Sequence, residues 1–211
     1  MDKRKKTIAT YDNYALSYQE KFMQIKLYND TYDAICKLLP FDADILDVGC
    51  GPGNVTHYLL SKNPDFKITG IDLAPKMIKL AQANNPNADF TVMDCRDIRK
   101  LNRSFDGIVC AFCIPYLSKE ETKNLIQDIS GSLKSDGVVY VSAMEDDYDK
   151  SGFETTSFSG NDEVFIYYHQ YEFIESELEE SGLEVVEFYR KQYPQNNGFL
   201  IDMIFIAKKS K

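Results

Sequence analysis

Three glycines and an aspartate lie close together in the stretch ILDVGCGPGN, residues 45–54. Asp47 interrupts a short apolar run, and Gly49, Gly51 and Gly53 then occupy every second position. Glycine tolerates positive φ and leaves the main chain open to close approach by another molecule. A helix that starts after such a loop offers free N–H groups to a carboxylate or a phosphate. The pattern therefore predicts a ligand-binding loop between a strand and a helix.

The spacing of these glycines disfavours two familiar nucleotide sites. The dinucleotide fingerprint G-x-G-x-x-G fails, because Asn54 or Thr56 stands where its third glycine should be, depending on the register. The G-K-[ST] of a phosphate-cradling loop is absent as well. The carboxylate of Asp47 would repel a pyrophosphate and attract an ammonium or another cation. An NAD-dependent oxidoreductase therefore stays an alternative rather than the main hypothesis.

Two further aspartates end the next two predicted strands. Asp72 follows KITGI, 19 residues after Gly53, where a carboxylate can accept hydrogen bonds from both ribose hydroxyls. It could also cap the helix that follows. Asp94 closes FTVM and can accept a hydrogen bond from an exocyclic adenine amine. Aspartates at the ends of three successive strands predict a ligand that contains adenosine.

The elements that must position these aspartates alternate along the middle of the chain. ADILDV, FKITGI, DFTVMD, FDGIVCAF and GVVYVSAM are predicted as strands, and helices fall between them. The helix before GVVYVSAM starts with a capping box formed by Ser118 and Glu121. Alternation of this kind, with nearly continuous apolar strands, predicts a parallel sheet that is covered on both faces.

The two ends of the chain complete the predicted fold. Residues 7–39 are mostly helical, and LEVVEFYRKQY and FLIDMIFIAKK form an antiparallel hairpin across the turn-like PQNNG. We predict an α/β fold, a Rossmann-like doubly wound seven-stranded sheet with five parallel strands, a C-terminal antiparallel hairpin and N-terminal helices. Residues 1–211 would form one domain with a helical cap over 1–39. The insertion at 145–171, with a hairpin favoured around GND, would cover the substrate, since ligands bind at the carboxyl ends of strands.

Composition narrows the class of protein. The 211 residues carry a formal net charge of −9, which disfavours nucleic acid as a partner, and the basic residues at 3–6 are interpreted as a solvated end. No apolar run approaches the roughly 20 residues that a membrane span needs, and no apolar leader follows the basic start. We therefore expect a soluble cytoplasmic protein with no membrane segment.

The cysteines point to the same compartment. There are five, an odd number that favours free thiols in a reducing environment. Cys110 and Cys113 have C-x-x-C spacing, but the sequence has no second such pair and no paired histidines to complete a zinc site. Their place at the end of an apolar run favours a packing role. We predict no metal site.

Four segments carry a resemblance to a known family. ILDVGCGPGN, GIDLAPKMIKLA, FTVMDCRD and FDGIVCAFCIPYL resemble the successive motifs of class I S-adenosylmethionine-dependent methyltransferases, above all the branch that acts on small molecules. The similarity covers roughly residues 7–144. It implies S-adenosylmethionine as the cofactor and direct in-line methyl transfer to a small-molecule acceptor. A module that binds S-adenosylmethionine without turnover is a further alternative.

The resemblance also implies which residues hold the cofactor. Asp47 would hold its amino group, the backbone from Gly49 to Gly53 would lie along its methionine part, and Asp72 would bind the ribose. The other implied contacts are Leu73 and Met77 on the adenine, Asp94 and Cys95 at the adenine edge, Ala111 and Phe112 beside the methionine part, Cys50 and Asn54 in the loop region, and Tyr11 and Tyr18 closing over the cofactor.

Two residues are candidates for catalysis or for contact with the acceptor. His169 lies in the aromatic run YYHQY, and Tyr116 lies in IPYL after the fourth predicted strand, where relatives often carry a histidine. In-line transfer requires alignment and exclusion of water, and a general base only where the acceptor must lose a proton. The aromatic cover suggests a small, partly apolar or cationic acceptor. The motifs leave the acceptor's identity and the oligomeric state open.

Overall fold

The computed structural model describes residues 2–160, 162–195 and 198–210. Three helices come first: α1 (Lys3–Asn13), α2 (Ala15–Phe22) and α3 (Asn29–Cys36). Strands and helices then alternate as β1 (Asp44–Val48), α4 (Asn54–Lys62), β2 (Lys67–Asp72), α5 (Pro75–Asn84), β3 (Asp89–Val92), β4 (Phe105–Cys110), α6 (Lys119–Ser132) and β5 (Leu133–Glu145). The chain ends with β6 (Gly152–Thr155), β7 (Glu163–Ile166), α7 (Tyr171–Glu180), β8 (Leu183–Gln195) and β9 (Gly198–Lys209). Short 3-10 helices lie at Cys95–Leu101, Ile114–Tyr116 and Tyr148–Lys150.

Seven of these strands form one sheet in the order β3-β2-β1-β4-β5-β9-β8. Strands β1 to β5 pair in parallel, and β9 pairs antiparallel with both β5 and β8. This confirms the predicted sheet of five parallel strands with a terminal hairpin. The predicted turn PQNNG includes residues 196 and 197, which lie outside the described residues. The strand order reverses between β1 and β4, which is where ligands bind in open α/β sheets.

The apolar strands divide their side chains between two cores. Along β1, Ile45 packs in the core on one face of the sheet and Leu46 in the core on the other. Successive side chains of a strand point to opposite faces, so a strand that is covered on both sides must be apolar throughout. Helices α6 and α7 cover the face that includes Leu46, while α3 and α4 cover the face that includes Ile45.

Helix α1 is held mainly by contacts with the insertion. Its first turn is basic, which opposes the positive end of the helix dipole, and Asp2 supplies a cap by accepting a hydrogen bond from the Arg4 N–H at 3.1 Å. The expected hairpin in the insertion is formed by β6 and β7, while Asn161 between them lies outside the described residues. On β7, Glu163 binds the Lys6 ammonium at 2.6 Å, and the Phe165 N–H donates to Thr7 Oγ1 at 3.0 Å. The N-terminal cap and the insertion therefore form one cover.

Measured against a bilayer, every helix in the described part of the chain is too short or too polar to span it.

The predicted capping box at the start of α6 is present, and it gives the first test. The Glu121 N–H donates to Ser118 Oγ at 3.3 Å, and Glu121 Oε2 accepts from the Ser118 N–H at 3.0 Å.

Ser118→Ala should lower the free energy of unfolding by about 1 kcal/mol, because the helix loses its cap. Urea-induced unfolding measures this loss, and the dependence of the free energy of unfolding on urea concentration should be the same in the variant and the wild type. Ser61→Ala, at an exposed position inside α4, should change stability by less than about 0.5 kcal/mol. Equal losses in the two variants would contradict the capping role.

Candidate functional site

The three glycines of the loop between β1 and α4 all have a left-handed backbone. Their φ angles are 69° at Gly49, 54° at Gly51 and 79° at Gly53. A Cβ atom on Gly53 would lie 2.4 Å from the Asn85 side chain, and one on Gly49 would lie 3.1 Å from the Cys113 Cβ. The space beside Gly51 is more open, with no neighbouring atom closer than 3.8 Å. The left-handed backbone favours glycine at all three positions, crowding adds to this preference at Gly53 and less strongly at Gly49, and Gly51 presents open backbone.

A cavity of about 360 Å³ lies over this loop at the carboxyl ends of the parallel strands. The structure brings most of the predicted cofactor residues into its wall. They are Tyr11, Tyr18, Gly49, Gly51, Asp72, Leu73, Met77, Asp94, Cys95, Ala111 and Phe112, and Tyr116 joins them.

Asp72 is fixed in the wall of this cavity by two backbone donors. Its Oδ2 accepts from the Gly51 N–H at 3.0 Å, and its Oδ1 accepts from the Ala74 N–H at 2.8 Å. Burial raises the pKa of this carboxyl, and the hydrogen bonds from the backbone oppose that rise. A carboxylate has about four lone-pair sites, so an oriented Asp72 can still accept hydrogen bonds from a pair of ligand hydroxyls.

Asp94 also lines the cavity, but arginines already bind its carboxylate. It caps the 3-10 helix at Cys95–Leu101 by accepting from the Arg96 N–H at 3.1 Å, and the Arg96 guanidinium binds it as well. Arg4 reaches it from α1 at 3.0 Å. Burial raises the pKa of Asp94, while the charge of Arg4 opposes this. Arg4 is exposed, as expected for a solvated end, and it also lies in the cavity wall.

Four predicted cofactor residues lie outside the wall of this cavity. Asp47 is buried beneath the loop, where its carboxylate accepts from Thr56 Oγ1 at 2.7 Å, and burial raises its pKa to about 6. Cys50 and Gly53 belong to the loop but do not line the cavity, and Asn54 lines a second, neighbouring one. The Asp47 carboxylate therefore joins the end of β1 to the first turn of α4.

The second cavity, of about 670 Å³, adjoins the first. Tyr11, Tyr18, Phe112 and Tyr116 line both. The hydroxyls of Tyr11 and Tyr116 are hydrogen-bonded to each other, and burial raises the pKa of each, so both stay neutral donors. Phe112 has a φ of 57°, a backbone conformation that is uncommon outside glycine and that clusters at functional sites. These four side chains form an aromatic partition between the two cavities.

His169 is not among the residues that line either cavity. It is fully buried, its Nε2–H donates to the Leu117 carbonyl at 3.1 Å, and its ring stacks on Phe173 at 5.4 Å. Burial lowers the pKa of the imidazole to about 4, so it is neutral at physiological pH. The structure brings Tyr116 to the site and leaves His169 in the core.

Sequence reasoning missed several residues of the first cavity. They come from α1 and its N-cap, which the fold brings over the strand ends: Asp2, Lys3, Arg4, Thr7 and Ile8. Phe165 and Tyr167, which belong to the insertion expected to cover the acceptor, line this cavity too. The cysteines are unpaired, and within the described ranges no group of three or more His, Cys, Asp or Glu side chains is arranged to hold a metal ion. Cys95 and Cys113 instead form part of the cavity wall.

Known proteins with similar sequences include methyltransferases. Residues 45–137 match the family model of a methyltransferase domain. The malonyl-acyl-carrier-protein O-methyltransferase of Acetivibrio thermocellus is 34% identical over 131 residues, which are 61% of this chain and 43% of that protein. The chain thus spans less than half the length of this curated relative, and it covers 36% of another from Invertebrate iridescent virus 6.

Solved structures share the fold along almost the whole chain. An S-adenosylmethionine-dependent methyltransferase from Clostridium acetobutylicum superposes with a TM-score of 0.72 at 20% identity, covering 95% of this chain and 99% of the other. Magnesium protoporphyrin IX methyltransferase from Synechocystis, with bound S-adenosylmethionine, superposes with a TM-score of 0.72 at 16% identity, covering 100% and 98%.

Fold and site together define a Rossmann-like protein that binds a nucleoside-containing cofactor at its strand ends. The chain is similar to class I S-adenosylmethionine-dependent methyltransferases, whose cofactor is S-adenosylmethionine. The residues of the first cavity fit that molecule. Gly51 offers backbone without a side chain, Asp72 an oriented carboxylate for the ribose, and Met77 an apolar surface for the adenine.

Asp72 gives the second test. Asp72→Ala should weaken S-adenosylmethionine binding at least about tenfold, roughly 1.4 kcal/mol, because charge-assisted hydrogen bonds to the ribose are lost. Isothermal titration calorimetry measures the affinity, and thermal unfolding confirms that the variant folds. Asp89→Ala, at an exposed aspartate at the start of β3, removes the same charge and should leave the affinity unchanged. An unchanged affinity in Asp72→Ala would remove the ribose assignment.

Proposed function

We propose that the protein transfers the methyl group of S-adenosylmethionine directly to a small molecule bound in the second cavity. The observation that carries this proposal is that the two cavities share one wall, which is formed by Tyr11, Tyr18, Phe112 and Tyr116. One cavity holds the residues of a family cofactor site. The other is large enough for a metabolite, and its wall combines many aromatic rings with about as much polar as apolar surface.

The partition residues would position the reactants and exclude water. Bound S-adenosylmethionine supplies a methyl group on a positively charged sulfur, whose bond to that carbon breaks as the acceptor's bond to it forms. Holding donor and acceptor in line can contribute roughly 7–11 kcal/mol in favourable systems. The raised pKa values of Tyr11 and Tyr116 keep both hydroxyls protonated at neutral pH, and the one proton that their mutual hydrogen bond leaves free would be donated to the acceptor. His169 has no part in this proposal, because it lies outside both cavities.

The two covering segments support the proposed arrangement of residues 1–211 as one methyltransferase domain. The cap at 1–39 contributes α1 to the first cavity and aromatic residues of α2 and α3 to the second. The insertion at 145–171 contributes Glu154, Phe158, Val164 and Ile166 to the second cavity, which supports its role as the substrate cover. We also propose a cytoplasmic protein without a nucleic-acid partner, on the basis of its unpaired cysteines and its net charge of −9.

Of the two alternatives, the module that binds S-adenosylmethionine without turnover is the one that an assay must separate. The family matches give the NAD-dependent oxidoreductase no support. A thermal shift with S-adenosylmethionine and none with NAD would be the expected pattern, because only a ligand of the native state raises its stability.

The decisive experiment follows the methyl group. The protein is incubated with S-adenosylmethionine labelled in its methyl group and with a small-molecule metabolite extract, and labelled products are separated by chromatography and mass spectrometry. We expect label in a small molecule and formation of S-adenosylhomocysteine, with both reduced in Asp72→Ala. Asp89→Ala serves as the matched control. Binding of S-adenosylmethionine without transfer to any metabolite would favour the non-catalytic module.

A further inference from the structure

A buried carboxylate lies in the wall of the second cavity. Asp202, on β9, is 2% exposed and belongs to the lining of that cavity. Its Oδ2 accepts a hydrogen bond from the Tyr28 hydroxyl at 2.6 Å, whereas its Oδ1 is buried and has no hydrogen-bond partner. Buried polar atoms are nearly always paired in folded proteins, so the unpaired oxygen requires an explanation.

The surroundings of Asp202 do not neutralise its charge. In the sheet it lies opposite Met144 on β5 and Lys191 on β8. The Lys191 ammonium, which is the nearest cation by register, instead binds Asp30 at 2.5 Å. Lys21, the basic residue of the cavity wall, is exposed and donates to the Ser157 carbonyl at 3.1 Å.

Aromatic rings form much of the remaining wall. Phe22, Tyr28, Phe112, Phe158 and Tyr193 line the cavity. The rings of Tyr28 and Phe112 are 4.9 Å apart and those of Phe22 and Tyr193 are 6.4 Å apart, so the wall contains two pairs of neighbouring rings. Aromatic faces attract cations, and the attraction grows when the cation is removed from water.

A second acid adds to the negative potential of this cavity. Glu154, on β6, is also in the wall, and its Oε1 accepts from the Tyr168 hydroxyl at 2.6 Å. Two carboxylates and several aromatic faces would bind a cation and would repel an anionic acceptor.

A purely structural role for Asp202 accounts for one of its two carboxylate oxygens. Anchoring the Tyr28 hydroxyl uses Oδ2 and leaves Oδ1 without a partner. The oxygen of an asparagine could accept the same hydrogen bond without the cost of burying a charge, which is several kcal/mol for a carboxylate that lacks a cation. A ligand cation would supply the missing partner.

We propose that Asp202 recognises a protonated amine of the methyl acceptor, so that the acceptor is a small amine on an apolar or aromatic skeleton. This inference rests on the proposed function, because it takes the second cavity as the acceptor site. Asp202 acts as a specificity-determining residue that positions the acceptor. The tyrosine-lined partition then faces the atom that receives the methyl group.

The test compares ligands that share a skeleton and differ in charge. The full-length protein is first saturated with S-adenosylhomocysteine, and calorimetry then measures the binding of arylalkylamines such as 2-phenylethylamine, of the matched alcohol 2-phenylethanol and of the matched anion 3-phenylpropanoate. The amines should bind at least about tenfold more tightly than the alcohols, and the anion most weakly. Equal binding of amine and alcohol, preference for the anion, or no binding of any amine would overturn the inference.

Variants separate recognition from anchoring. Asp202→Asn keeps an acceptor for Tyr28 and should abolish the preference for amine over alcohol, and Asp202→Ser should do the same if the first variant is unstable. Tyr28→Phe removes the anchoring hydrogen bond, keeps the carboxylate and should retain the preference. A preference that survives in Asp202→Asn would reduce Asp202 to an anchor. Failure of the wild-type protein to bind S-adenosylhomocysteine would refute the proposed function instead, so the two failures are distinguishable.

Discussion

The site depends on the hydrogen bonds that join the end of β2 to the loop after β1. The Ile71 carbonyl accepts from the N–H groups of Gly49 and Cys50 at 2.8 and 2.9 Å, and the Asp72 carboxylate accepts from the Gly51 N–H at 3.0 Å. These bonds turn the loop back across the neighbouring strand. Such a turn needs positive φ at alternate residues, which is why glycines occupy them. One side chain thus fixes the loop and places a carboxylate in the wall of the first cavity.

This arrangement can be formed only because β1 lies between β2 and β4 in a parallel sheet. Parallel register brings Asp72, the loop and Ala111 after β4 to the same edge. The sheet supplies no cover for that edge. Helix α1 and the hairpin β6–β7, which lie far apart in the sequence and are joined by the Lys6–Glu163 ion pair, supply it. The basic first turn of α1 opposes its helix dipole, and a two-stranded hairpin alone is only marginally stable. Contact between α1 and the hairpin therefore stabilises both elements.

The parts of the site that local elements form could be predicted from the sequence, whereas the parts that tertiary packing brings together could not. The strands themselves, the glycine loop, Asp72 and the capping box at Ser118 are encoded over short stretches, where period, spacing and turn chemistry are readable. Arg4 and Phe165 could not be predicted as neighbours of the cofactor site, because tertiary packing brings them there from positions far apart in the chain. His169 was conspicuous as a histidine among aromatic residues, but the same aromatic residues bury it in the core. The presence of a residue type that can catalyse a reaction does not by itself distinguish a functional site from the hydrophobic core.

Asp47 and Asp202 show what a polar residue inside an apolar strand can mean. Burial raises the pKa of each to about 6, well above the value of an exposed aspartate, so the native state holds these protons more tightly than the unfolded chain does. Their contribution to stability is therefore greatest below about pH 4 and is lost as the pH rises through about 6. At Asp47 the hydroxyl of Thr56, in the first turn of α4, donates a hydrogen bond that offsets part of the cost of burying the carboxylate. At Asp202 the chain supplies only Tyr28 and leaves one oxygen unpaired beside a cavity. The first carboxylate is completed by the fold itself, and the second is completed only when a donor enters from outside.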